Sequence, residues 1–196
     1  MLKISSKVLD NAALKEWAVV CKALEEGRQI LLLRKGGIME YRQGFEVKHD
    51  KFLLFPTFEH QSKESIQPDY LSILYRVLQN TPTNGKNKIT SYAQVADIKE
   101  VSDKSILRKL EKYHIWNDRY VNIRMNYNSK RPMNIILLRV YKMDNPIEVD
   151  VKSEWAGCTS WIPIEFPVHS NNDDRQPVLE DRRFNQIVDE IKEVLN

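Results

Sequence analysis

The sequence predicts an α+β fold: a strand-rich, mostly antiparallel core with flanking helices. Three observations predict it. Short apolar runs bounded by Pro, Gly or Asn recur along the chain. Amphipathic stretches stand near both ends and in the middle. The strand–helix–strand repetition that builds parallel sheets is missing. With 196 residues, 42% hydrophobic and 29% charged, the chain can bury one core and lies outside the regime of disorder. A single domain over 1–196 is expected, with a subdomain joint near 81–87.

The elements follow in order. Asp10 is placed to cap a helix with Ala13, Leu14, Trp17, Val20, Cys21 and Leu24 on one stripe, stopped by Gly27. Gln29 to Leu33 reads as a buried strand running into Arg34-Lys35 and the Gly36-Gly37 turn. Phe52 to Phe55 is a second strand, stopped by Pro56. A helix fits about 69–79, with Leu71, Leu74, Tyr75 and Leu78 on its apolar face. Thr81 to Asn87 is a loop, and Ile89 to Val101 a strand. Ser102 caps a helix carrying Ile106, Leu107, Leu110 and Tyr113. Tyr120 to Tyr127 alternates, with Val121, Ile123 and Met125 on one side, and so predicts a strand. After a turn at Asn128 to Pro132, strands are expected over 134–141, 146–151 and 161–164. A last amphipathic helix covers Val178 to Leu195, with Phe184, Ile187, Val188, Ile191 and Leu195 inward.

Composition excludes several classes. No run approaches the roughly 18 to 20 apolar residues that span a bilayer, and the start lacks a secretory signal. Two cysteines, Cys21 and Cys158, are too few for a disulfide framework or a thiolate metal cluster. A cytoplasmic protein without cofactor is expected. His49, His60, His114 and His169 show no metal-ligand spacing, so no metal site is assigned. The net charge of +3 averages unequal parts: 12 Lys/Arg against 10 Asp/Glu over 1–85, 13 against 5 over 86–142, and 5 against 12 over 143–196. A basic middle suits a polyanion surface, or charges that pair across the fold.

Four strings stand out: Glu16 to Val19, Arg34 to Ile38, Phe55 to Gln61 and Trp155 to Trp161. Together they resemble the uncharacterised bacterial family called domain of unknown function 1802, over about residues 14–165. The resemblance implies an association with restriction-endonuclease-type partners and DNA restriction, modification or phage defence. The order of elements is also similar to the PUA-like barrels, including ASCH and EVE domains, which bind RNA or modified bases in a cleft.

Residue chemistry points to nucleic-acid binding. Thr57, Glu59, His60 and Gln61 offer a hydroxyl, a carboxylate, an imidazole and an amide after a strand, enough to read a base edge. The same segment also reads as a capped turn. Arg34 and Lys35 suit phosphate contact, or are solvated charges at a strand end. Arg124, Lys130, Arg131 and Arg139 lie among Tyr120, Tyr127 and Tyr141 on an expected hairpin. Trp161 offers a stacking face. Two alternatives are a metal-dependent nuclease on Asp144, Glu148, Asp150 and Lys152, and a partner-docking subunit using the acidic C-terminal helix. No complete catalytic motif is present, and the oligomeric state is left open.

Overall fold

The computed structural model describes residues 11–35, 45–157, 159–164 and 176–196. Expectations placed on Asp10, Gly36, Gly37, Ile38, Cys158 and His169 lie outside those residues.

The fold is α+β, as the sequence predicts. Among the described residues six strands form one sheet: β1 (Ala12–Trp17), β2 (Leu31–Arg34), β3 (Lys51–Thr57), β4 (Lys86–Val101), β5 (Met133–Asp150) and β6 (Trp161–Pro163), in the order β2-β5-β4-β3-β1-β6. Every pairing is antiparallel except β1 with β3, which is parallel. Among the described residues five α-helices flank it: α1 (Ala18–Glu25), α2 (Leu71–Gln79), α3 (Lys104–Lys109), α4 (Asp118–Asn126) and α5 (Asp181–Leu195).

Alternation along the strands divides the interior in two. Leu14, Phe52 and Leu54 enter the main core with the helices. Their neighbours Ala13, Leu53 and Phe55 enter a smaller core with Ile89, Trp155 and Ile162. Strand side chains point to opposite faces in turn, so both faces of β1 and β3 are buried. The expected strands over 134–141 and 146–151 are one continuous strand, β5. Its ladder with β4 shifts register between Ile89 and Ser91 and between Val95 and Asp97, and such bulges bend a long hairpin.

The sheet is curled. If flat, four strand spacings would hold β2 about 19 Å from β1, far beyond an arginine's reach. Yet Arg34, the last residue of β2, places Nη1 2.9 Å from Glu16 Oε2 in β1. Its Nη2 donates to Ser160 Oγ, beside β6, at 2.7 Å. One side chain therefore joins the two edges of the sheet.

Four sequence expectations are corrected. Residues 12–17 are a strand, and the helix begins only at Ala18. Leu14 and Trp17 fit a helical stripe by spacing, but pairing with β3 and β6 overrides it. Residues 120–126 belong to α4, with Tyr127 at its C-cap: Asn117 Oδ1 accepts from Tyr120 N–H at 3.0 Å, a side-chain cap that starts a helix where alternation suggested a strand. At α2 the inward residues are Tyr70, just before the helix, then Leu71, Ile73, Leu74 and Val77; Leu71 and Leu74 face the core as expected, while Tyr75 and Leu78 are exposed. Tyr70, Ile73, Leu74 and Val77 follow the i, i+3, i+4, i+7 pattern without a break. Asp103, not Ser102, caps α3.

Gly27 closes α1 at φ 65, where an added Cβ would lie 2.8 Å from Leu179 Cδ2. The C-terminal helix docks through Phe184, Val188 and Ile191. Among the described residues, no helix is long and apolar enough to cross a membrane.

His114 is 1% exposed. Burial holds its imidazole down to about pKa 4, and its Nδ1 accepts from Trp116 N–H. The unfolded chain therefore binds a proton that the folded one refuses. Stability from this group is complete above about pH 6.5 and declines as pH falls through 4, by on the order of 3 kcal/mol. Denaturant unfolding at stepped pH should show that decline, and His114→Asn, which keeps an acceptor for Trp116, should lose most of it.

Candidate nucleic-acid interface

A cleft of about 240 Å³ opens where the ends of β1, β2 and β3 meet α4 and the segment before β6. Its first wall is the end of β1. Lys15 Nζ donates to the carbonyls of Trp155 and Gly157, holding the segment before β6 in place. Glu16 is buried, and its carboxylate takes Arg34 on one oxygen and Trp17 N–H on the other. Thr57 Oγ1 donates to Glu16 O at 3.0 Å, tying β3 to the same strand end.

The second wall is α4. Trp116 stacks on Tyr120 with ring centroids 3.8 Å apart and planes 10° from parallel. Trp17 meets Trp116 edge-on at 5.0 Å. These contacts seat the first turn of α4 beside β1. Burial pushes the Tyr120 hydroxyl up to about 12, so it stays protonated as a donor. Among the described residues none hydrogen-bonds to it. Arg124, one turn along, lines the same cleft, with its guanidinium 5.2 Å from the centre of the Tyr127 ring. The last turn of α4 is held by Lys35, which is 2% exposed and donates to Met125 O at 2.7 Å. Burial, reinforced by Arg124, lowers the Lys35 ammonium from its usual range.

The turn after β3 closes the cleft. Glu59 and His60 are exposed on it, and His60 has φ 62, a left-handed conformation that a residue with a Cβ rarely takes. Gln61 immediately afterwards accepts Val19 N–H at 2.8 Å and so caps α1.

Of the ten residues singled out in the sequence, the cleft gathers Arg34, Thr57, Glu59, His60 and Arg124. Gln61 turns its amide to the start of α1. Lys35 serves the end of α4. Lys130 and Arg131 are exposed after α4, beyond the cleft lining. Trp161 packs against Phe45, His49 and Phe52, and its indole N–H donates to Glu46 O at 2.9 Å. Sequence reasoning missed Lys15, Glu16 and Ser160 as site residues. Glu16 and Trp17 stood in one of the four unusual strings, which was the signal available.

The basic middle of the chain spends several cations on its acidic end. Lys86 pairs with Glu148 at 3.1 Å and Lys112 with Glu190 at 3.5 Å, while Arg139 pairs with Asp181. Arg139 is buried over the Phe184 ring, not on a hairpin edge. On the strand proposed for nuclease chemistry, Glu148 is engaged by Lys86, and Lys152 reaches Glu154 at 4.0 Å. Among the described residues, no group of three His, Cys, Asp or Glu is placed to hold a metal.

The buried pair at the cleft floor is testable. Arg34→Met leaves Glu16 charged and unpaired and should cost about 3 kcal/mol in urea unfolding. Adding Glu16→Gln should return more than half of it, whereas two independent contacts would give additive losses.

Comparison with family models places residues 13–190 in the family described as Domain of unknown function (DUF1802). No curated protein matches the chain. Among solved structures, the crystal structure of ASCH from Zymomonas mobilis is similar at 10% identity, covering 91% of this chain and 93% of that one, with a TM-score of 0.47. A point mutant of that protein aligns at 11% identity over 91% of this chain and 96% of that one, TM-score 0.46. A second mutant aligns at 10% identity over 93% and 98%, TM-score 0.44.

Proposed function

We propose that this chain, which belongs to the DUF1802 family over residues 13–190, is a nucleic-acid-binding module that admits one unstacked base or nucleotide to the cleft between β1 and α4. The observation that carries the reading is His60. An exposed imidazole held at φ 62 sits in the same cleft as Arg124, Tyr120 and Trp17. A non-glycine residue held left-handed costs about 1 kcal/mol or more, and such strain concentrates at ligand sites.

The parts suit a base and its phosphate. Trp17 and Tyr120 give an aromatic wall against which a flat ring can rest. The Tyr120 hydroxyl donates, His60 donates or accepts, and Glu59 and Thr57 supply further hydrogen-bonding groups for a base edge. Arg124 meets a phosphate, and Lys130 and Arg131 lie further along the chain from it. A duplex keeps its bases paired and stacked, so none of them can enter a cleft of about 240 Å³. The substrate is therefore a single strand or a nucleotide turned out of its stack. A role beside restriction-endonuclease-type partners rests on the family resemblance alone.

Fluorescence polarisation with single-stranded RNA and DNA oligonucleotides tests this. Binding should fall with salt at a log–log slope of about −2, as three phosphates neutralised on a single strand would give. Arg124→Gln should weaken it about tenfold. His60→Gly should also weaken it while raising stability by about 1 kcal/mol, because glycine takes a positive φ without strain. Binding that is flat in salt, or untouched by both substitutions, removes the reading.

A further inference from the structure

A second opening, larger than the cleft, lies on the other side of the same wall. It measures about 350 Å³ and is formed between α1, α2 and the end of β3. Its lining is mostly apolar: Ala18 and Cys21 from α1, Leu54, Pro56 and Phe58 from β3 onward, and Val77 from α2, with polar side chains completing it. Alternation explains the division, since Pro56 and Phe58 face this opening while Thr57 and Glu59 face the cleft.

The charges around it are already matched. Lys22 pairs with Glu25 at 2.7 Å, and Arg76 takes Glu26 at 3.0 Å. The Cys21 thiol is buried and its pKa is raised well above the ordinary value, first by desolvation and then by Glu16 and Glu25, so it is neutral. Asn80 Nδ2 donates back to Arg76 O, so its carbonyl oxygen is the amide atom left for a ligand, and Thr90 also lines the opening. Volumes of about 300 Å³ and upward, apolar walls and a few placed polar groups are what small-molecule sites show.

We propose that this opening is a binding site for a neutral, largely apolar small molecule of ring size, with one hydrogen-bonding edge turned to Asn80 and Thr90. It is distinct from the nucleic-acid cleft and does not rest on that reading. A charged ligand would find no unmatched countercharge, and a wholly apolar one would leave the Asn80 carbonyl and Thr90 unused.

The neutral probe N-phenyl-1-naphthylamine tests the site by fluorescence titration of the full chain. Saturable, blue-shifted binding is expected, and Val77→Phe, which fills the opening, should weaken it at least tenfold. Tyr75→Ser, on the exposed face of the same helix, should leave it unchanged. A single-stranded oligonucleotide in excess should not displace the probe. In a Cys158→Ser chain, saturating probe should also slow modification of Cys21 by methyl methanethiosulfonate at least fivefold, a readout independent of how well Val77→Phe folds. Non-saturating binding, indifference to Val77→Phe in a folded variant, displacement by oligonucleotide, or unprotected Cys21 would each overturn the proposal.

Discussion

The contact of Arg34 with Glu16 and Ser160 sets the geometry on which the cleft depends. Arg34 ends β2 at one edge of the sheet, while Glu16 and Ser160 belong to the β1–β6 side. Joining them requires the sheet to curl, and the curl brings the ends of β1 and β3 to α4. A buried guanidinium and carboxylate repay their desolvation only when well paired and fully hydrogen-bonded. Here Glu16 also takes Trp17 N–H, and Arg34 also takes Ser160 and lies 4.8 Å over the Phe45 ring. The residue that looked on sequence like a phosphate ligand is first a clamp.

The same division of labour runs through neighbouring residues. Lys35 fixes the last turn of α4, and Gln61 fixes the first turn of α1. Between them stand Arg124 and His60, which the fold leaves facing the cleft. Polar residues around the cleft thus divide into those that hold backbone and those that line the opening. Along β3 and the turn after it the division is stricter still, because alternate residues serve two different openings.

Much of the fold was legible in the sequence. The runs at Leu31 to Leu33 and Phe52 to Phe55, and the Phe184–Val188–Ile191 stripe, are short-range patterns that packing obeyed. Residues 12–17 and 120–127 were not legible, for opposite reasons. In the first, long-range pairing with β3 and β6 turned a helical spacing into a strand. In the second, a local cap from Asn117 turned an alternating pattern into a helix. The site suffered accordingly: half of the residues singled out do meet in one cleft, but their company of Glu16, Trp17 and Ser160 depends on strand pairing that no local pattern encodes. Net charge was the least informative guide, since Lys86, Lys112 and Arg139 are balanced by carboxylates from the acidic end.

A nucleic acid that enters the cleft between β1 and α4 is distinguishable from one that merely lies on basic surface. Photo-crosslinking of a single strand carrying 4-thiouridine, followed by peptide mass spectrometry, tests the difference most directly. Entry into the cleft should give crosslinks at Trp17, His60 or Tyr120, lost on competition with unlabelled strand. Crosslinks confined to the segment around Lys130 and Arg131, or to the faces of α2 or α5, would contradict it.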